Sequence, residues 1–256
     1  MKNFIFTVDD NIRFLKEICE GGYESIFEHP YLAMHKRFHE KFGLRVQLNL
    51  FFECDGFCLR DMTDKYKNEW ESCSDWLKLS FHSRLENVKP YENSGYGEVF
   101  DDCSRVNLEI LRFAGENSLA KTTTVHYCAL TDDGTQAIKE CGYTGLLGLY
   151  GTREEPTVSY QSTYSECERL ILGEFVTRDG VTYGAIDIVL NLFKKEKILE
   201  KLSALLDRKV IKVMIHEQYF YEDYERYIPD FEEILDSSFD FLTKNGYNSD
   251  FFERLI

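Results

Sequence analysis

The chain has 256 residues, with 30 Lys and Arg against 45 Asp and Glu, a formal net charge of -15. Such a field repels phosphate backbones and argues against a nucleic-acid partner, while 43% hydrophobic and 15% aromatic residues supply a core and argue against disorder. No stretch approaches the roughly 20 apolar residues of a membrane span, and Asp9 and Asp10 break the short apolar run that follows Met1, so the sequence reads as a cytoplasmic chain with no export signal and no membrane segment.

The run Phe4-Ile5-Phe6-Thr7-Val8-Asp9-Asp10 reads as a first strand that stops at two adjacent carboxylates. Asp10 or Asn11 suits the cap of a following helix, with Ile12, Leu15 and Ile18 at helical spacing and Gly21-Gly22 at its end. Pro30 opens a second helix to Phe42, where Gly43 ends it. A second strand is expected over 44–52, since Val46, Leu48 and Leu50 alternate with Gln47 and Asn49. A polar loop over 53–64 and a short helix over 65–72 lead to a third strand, 75–81, that runs into His82-Ser83-Arg84-Leu85-Glu86.

Residues 90–100 read as loop, with a helix beginning at Asp101 or Asp102 and stopped by Gly115. The β-branched stretch 121–129 reads as a strand, 132–141 as a helix, and 145–150 as an apolar strand. From 169 to 193 the pattern is that of an antiparallel hairpin around Asp179-Gly180. A charged helix over 194–207, a buried strand over 210–215 ending at His216-Glu217, a helix over 229–245 and a last strand over 248–252 complete the chain. Helices alternating with about seven main strands, and no linker or repeat, predict one α/β domain over 1–256. Its expected form is a distorted (β/α) barrel with an antiparallel hairpin insertion at about 169–193.

The eight cysteines are scattered along the chain and suit free thiols. Cys54-x-x-x-Cys58 has a metal-compatible spacing but no second Cys/His pair. Three apolar runs instead end in ionisable residues: Asp9-Asp10, His82 with Glu86, and His216-Glu217. A fourth carries His126 near its end. In a parallel α/β fold all such ends share one face, where ligands bind.

If a helical turn follows the third strand, His82 and Glu86 point the same way and suit two ligands of one divalent metal. Asp10 makes a third ligand, Asp9 a base for a bound water, and His216 a proton donor to the leaving group. Tyr127, Glu217 and Tyr219, at the same strand ends, are candidates for substrate contact. Each residue also has a plainer role open to it. The two Asp residues suit a helix cap, His82 a satisfied core histidine, and Glu86 a surface carboxylate. The histidines at 29, 35 and 39 read as structural or surface residues.

Thr7-Val8-Asp9-Asp10 resembles the T-F-D-D motif of the polysaccharide deacetylases of carbohydrate esterase family four. His82-Ser83-Arg84-Leu85-Glu86 falls where that family has H-[ST]-x-x-H, and Met214-Ile215-His216 resembles its L-x-H motif. Phe241-Leu242 to Gly246-Tyr247 resembles its final helix and turn. The resemblance implies a distorted (β/α) barrel, a divalent metal, commonly zinc, and an N- or O-acetylated sugar as substrate. It makes Asp9 the base, Asp10 and His82 metal ligands and His216 the acid.

Two departures stand out. Glu86 replaces the family's second metal His, and the R-x-P-Y motif is absent, with Thr124-Val125-His126-Tyr127 in roughly its place. The third protein ligand is therefore Glu86 or His126. The expected function is a metal-dependent deacetylase of a small acetylated carbohydrate or metabolite. The alternatives are a non-catalytic carbohydrate-binding barrel, which Glu86 and the aromatic content favour, and a metal-dependent sugar isomerase. The sequence sets no oligomeric state.

Overall fold

The computed structural model describes residues 2–86, 91–151, 154 and 157–256. In chain order its elements are β1 (Lys2–Asn11), α1 (Arg13–Gly21), α2 (Pro30–Phe42), β2 (Val46–Cys54), β3 (Phe57–Cys58), α3 (Lys67–Ser72), β4 (Leu77–Leu85), α4 (Tyr96–Phe113), β5 (Thr122–Thr123), α5 (Asp132–Glu140), β6 (Gly145–Gly148), α6 (Tyr164–Ile171), β7 (Val176–Arg178), β8 (Val181–Ala185), β9 (Ile188–Val189), α7 (Lys195–Ser203), β10 (Val210–His216), α8 (Phe231–Lys244) and β11 (Tyr247–Ser249).

β1 pairs in parallel with β10 on one side and with β2 on the other, and β2 pairs in parallel with β4. A second sheet runs β5-β6-β8-β7, parallel except for the β7–β8 hairpin. Single backbone bonds join the two sheets: Ala120 N–H donates to Leu79 O at 2.8 Å, and Asp187 N–H to Lys212 O at 2.8 Å. The result is a distorted (β/α) barrel whose ladders do not close into one continuous sheet. Its parallel strands bring their carboxyl ends to one rim.

The strand alternation has a use that the sequence pattern left open. On β1 and β2 the apolar set faces outward: Phe4 stacks on Phe239 of α8, Phe6 meets the same ring edge-on, and Val46, Leu48 and Leu50 join the same core under the helices. Gln47 and Asn49, buried at 2% and 0% exposure, face the barrel interior rather than solvent. There they hydrogen-bond to each other (Gln47 Nε2 to Asn49 Oδ1, 2.8 Å) and to Thr122 O (2.9 Å). Enclosure by the second sheet makes the polar face an inner one.

Several elements differ from the sequence expectation. β4 runs on through Leu85, so no helical turn follows His82. α4 starts at Tyr96, inside the expected loop, whose first residue, Pro90, lies outside the described residues. Of the strand expected over 121–129 only Thr122–Thr123 pairs, because the backbone then turns into a short 3-10 segment, His126–Cys128, with Tyr127 at φ 57°. The antiparallel hairpin is present but starts at Val176. Residues 164–171 are helical, begun by a capping box between Thr163 and Glu166.

Candidate metal centre

β1 places both carboxylates by a break in its own geometry. Its register with β2 gains one residue between Val8 and Asn11, a β-bulge, and Asp10 sits at φ 62° in the left-handed region. In a regular strand Asp9 and Asp10 would point to opposite faces, whereas here both line one cavity at the rim. Asn11 clamps the bulge. Its Nδ2 donates to Val8 O at 2.6 Å and to Asn49 O at 3.2 Å, and its Oδ1 accepts from Tyr31 Oη at 2.9 Å.

The helix cap expected of Asp10 or Asn11 comes instead from Glu217, 1% exposed, just past the end of β10. Its carboxylate accepts the N–H groups of Ile12 (2.7 Å), Arg13 (3.1 Å) and Phe14 (2.7 Å), and the Tyr221 hydroxyl (2.8 Å). Glu217 faces the start of α1 and is not part of the cavity lining. It ties the start of α1 to the strand that carries His216.

His82 occupies a second bulge, where Leu50 pairs Phe81 and Phe51 pairs Ser83. Its Nδ1–H donates to Thr124 O at 2.5 Å, which fixes the tautomer and turns the Nε2 lone pair toward Asp10. His82 Nε2 lies 3.0 Å from Asp10 Oδ1 and 3.1 Å from His126 Nδ1, and His126 Nδ1 lies 3.3 Å from Asp10 Oδ1. Among the described residues, Asp10, His82 and His126 form the one group of three whose ligand atoms could share a metal ion.

Ligand atoms held about 2.1 Å from one ion at angles of about 90–110° lie about 3.0–3.4 Å apart, so the three fit a divalent metal. The ligand chemistry agrees, since two imidazoles and a carboxylate are ordinary zinc donors. His126 Nε2 is buried with no protein partner among the described residues.

Glu86 lines the same cavity but is not one of the three. The sequence argument put it beside His82 through a helical turn. Along the extended β4 segment a separation of four residues is about 13 Å, and the Glu86 carboxylate accepts the Cys54 thiol at 3.0 Å. In the group of three, the atom beside Asp10 and His82 comes instead from His126, on the 3-10 turn that follows β5.

The electrostatics match this placement. Burial would raise Asp10, but its hydrogen bonds with His126 and His82 hold it well below the ordinary carboxylate value. Burial would lower His82, and the charges of Asp9 and Asp10 outweigh it and raise it. His126 is lowered, mainly by burial. In the absence of a cation, then, a proton on His82 takes its place, and metal and proton compete.

Asp9, outside the group of three, is 2% exposed and raised by burial. Asn49 Nδ2 donates to its Oδ1 at 2.6 Å. His216 pairs with Asp9 across the β1–β10 ladder, and its Nδ1–H donates to Asn191 Oδ1 at 2.9 Å. The cavity above these groups has a volume of about 480 Å³, with Tyr127, Tyr219, Tyr224 and Arg226 among its lining.

Three supporting residues escaped the sequence reading. Gln218 Nε2 donates to Asp10 Oδ2 at 2.7 Å, Asn49 orients Asp9, and Asn191 orients His216. Only Asn49 had a signal, as a polar residue alternating within an apolar strand.

No protein-family model and no curated protein sequence matches the chain. Solved structures do. A carbohydrate esterase family four pseudoenzyme from Bacillus anthracis aligns over 99% of this chain and 65% of its own, at 10% identity and a TM-score of 0.53. A family 4 acetyl xylan esterase from Clostridium thermocellum, in complex with a cobalt ion, aligns over 99% and 90%, at 10% identity and a TM-score of 0.53. A 4-alpha-glucanotransferase from Thermococcus litoralis aligns over 99% and 40%, at 14% identity and a TM-score of 0.60. The chain thus spans 65% of the pseudoenzyme and less than half of the glucanotransferase. It has the distorted barrel fold of the carbohydrate esterase family four proteins, on a sequence about 10% identical to theirs.

Proposed function

We propose that the chain is a metal-dependent hydrolase, a deacetylase of an N- or O-acetylated sugar or related small metabolite, working as a single barrel domain in the cytoplasm. The observation that carries this reading is the convergence of Asp10 Oδ1, His82 Nε2 and His126 Nδ1 within 3.0–3.3 Å of one another beside a second buried carboxylate. These three would hold a dication of the zinc type. When bound, the ion supplies Lewis acidity toward an acyl oxygen and a water molecule.

The chain's own residues carry the proton traffic. Asp9, held by Asn49 and raised by burial, accepts a proton from the attacking water. His216, its Nδ1–H engaged by Asn191, presents Nε2 to hand a proton to the leaving amine or alkoxide. Tyr127 and Tyr219 at the cavity wall offer faces against which a sugar ring can pack.

The test is acetate release from acetylated mono- and oligosaccharides by protein loaded with zinc or cobalt. Release is expected to depend on metal and to fall by about 10²–10⁴ in Asp9→Asn, with metal content retained. Equal release by wild type and Asp9→Asn contradicts the mechanism. A second reading, a non-catalytic carbohydrate-binding barrel, is favoured by the fold's likeness to a pseudoenzyme. It is the outcome if loaded protein releases no acetate and binds sugar equally with and without chelator.

A further inference from the structure

A second cavity, of about 420 Å³, adjoins the metal cavity, and Tyr127, Cys128 and Leu149 line both. Four of the seven non-glycine residues at positive φ among the described residues sit in two pairs on its walls. Tyr127 and Cys128 stand at 57° and 52°, and Tyr160 and Gln161 at 52° and 51°. A left-handed residue with a Cβ is costly and persists only where its surroundings hold it. Here the two pairs hold each other. Tyr160 N–H donates to Cys128 O at 3.2 Å. Tyr160 Oη–H donates to Leu147 O at 2.7 Å, and the same oxygen accepts Val125 N–H at 3.1 Å. Ser159 Oγ–H donates to Leu149 O at 2.5 Å and that hydroxyl oxygen accepts Leu149 N–H at 3.1 Å. The segment lies so close to the end of β6 that a Cβ on Gly148 would come to 2.9 Å from Ser159 Cβ and from Tyr160 Cε2.

This packing commits the buried hydroxyls of Ser159 and Tyr160 to backbone partners and leaves apolar surface turned to the opening. Tyr127, Leu149 and Val158 are 53%, 36% and 44% exposed there, while Glu92, Thr157 and Gln161 supply a polar edge open to solvent. Three such side chains around one hollow favour a hydrocarbon ligand over a sugar ring, whose hydroxyls need free partners.

We propose that the second cavity takes the acyl chain of the substrate, so that the protein hydrolyses sugars carrying an acyl group longer than acetyl. The inference rests on the hydrolase reading above and adds the class of acyl group. In the tetrahedral intermediate the acyl carbon bears its own oxygen, the oxygen of the attacking water, the leaving nitrogen or oxygen, and its hydrocarbon chain. His216 serves the leaving atom. The second cavity has neither His216 nor any residue of 217–230 in its lining, and it begins at the residue after His126, where the hydrocarbon chain is the substituent left to fill it. The oxygen of water bonds to the acyl carbon, the bond from that carbon to the sugar nitrogen or oxygen breaks, and the leaving atom takes a proton. The products are a medium-chain carboxylate and the free amine or alcohol.

The test uses the zinc-loaded full chain in two assays. By isothermal titration calorimetry hexanoate should bind at least about tenfold tighter than acetate, since each buried methylene contributes about fourfold. Val158→Asp should erase that difference. Val158 is nearly half exposed and lines the second cavity but not the metal cavity, so the core is undisturbed. In turnover, kcat/KM on N-hexanoyl- or O-hexanoyl-glucosamine should exceed that on the acetyl counterpart by at least about tenfold, and the same substitution should bring the ratio close to one. Equal binding of acetate and hexanoate, or a preference that survives Val158→Asp, overturns the proposal, and acetate release in that case leaves the hydrolase reading standing. Hexanoate preferred in binding, with turnover of neither sugar, supports the acyl cavity and removes the hydrolase reading.

Discussion

The inside of the barrel holds two buried clusters of charge, one at each end of the same strands, and they are built on opposite plans. At the amino end, Asp187 at 1% exposure accepts Arg208 Nη1–H and the Lys212 N–H (2.8 Å), and lies 3.0 Å from Lys212 Nζ, which is fully buried. At the start of β4, Lys78 meets Glu253 at 2.7 Å. Every cation there faces a carboxylate. At the carboxyl end, four residues further along β10, Asp9, Asp10, His82, His126 and His216 share one cavity. No Lys or Arg forms an ion pair with either aspartate among the described residues. The contrast separates structure from function, because buried charges that merely hold a fold come paired. The upper cluster turns its lone pairs inward on a common point, at a backbone that leaves the regular strand at both Asp10 and His82. A dication at that point would balance the surplus.

The comparison can be broken from either end. The largest effect is expected at the lower cluster. Asp187→Ala strands Lys212 in the interior and should lower stability by about 3–5 kcal/mol, read by urea unfolding, with the zinc affinity of the folded protein unchanged. Asp10→Asn should do the reverse. Metal affinity should fall by more than about 100-fold, about 2.7 kcal/mol, in a competition titration, with the stability of the metal-free protein within about 1 kcal/mol of wild type.

A buried histidine outside both clusters gives a control. His35 on α2 packs against Phe6 and Tyr31, and neither of its nitrogens has a partner among the described residues. Burial alone pulls its pKa down to about 3. The unfolded chain therefore binds the extra proton below about pH 6.5, and the stability that neutral His35 provides is lost as pH falls from there toward 3. Between pH 7 and 5 the loss should be about 2 kcal/mol, and His35→Phe should remove that share of the pH dependence. The smallest effect is expected of Gln218→Ala, which frees one oxygen of Asp10. Metal affinity should weaken by about 10-fold, with no change in unfolding midpoint.

The sequence made the rim legible and left its supports hidden. An apolar run ending in two aspartates, and histidines at the ends of other runs, located Asp9, Asp10, His82 and His216, because strand ends in a parallel fold share one side. Glu86 was misplaced because its spacing from His82 was measured along a helix that β4 does not form. His126 was read on a strand, but it stands on a turn whose left-handed Tyr127 and Cys128, at φ 57° and 52°, no residue type announces. Glu217 looked like a ligand-facing neighbour of His216, yet it points to a helix start 205 residues earlier in sequence. Lys212 alone could have marked the lower cluster, as the one cation in the run Val210-Ile211-Lys212-Val213-Met214-Ile215.

The most direct test of the upper cluster is anomalous diffraction from crystals grown with zinc. The account expects one peak per chain, within about 2.0–2.2 Å of Asp10 Oδ1, His82 Nε2 and His126 Nδ1. No peak at that point, or an ion held by Glu86 in place of His126, would contradict it.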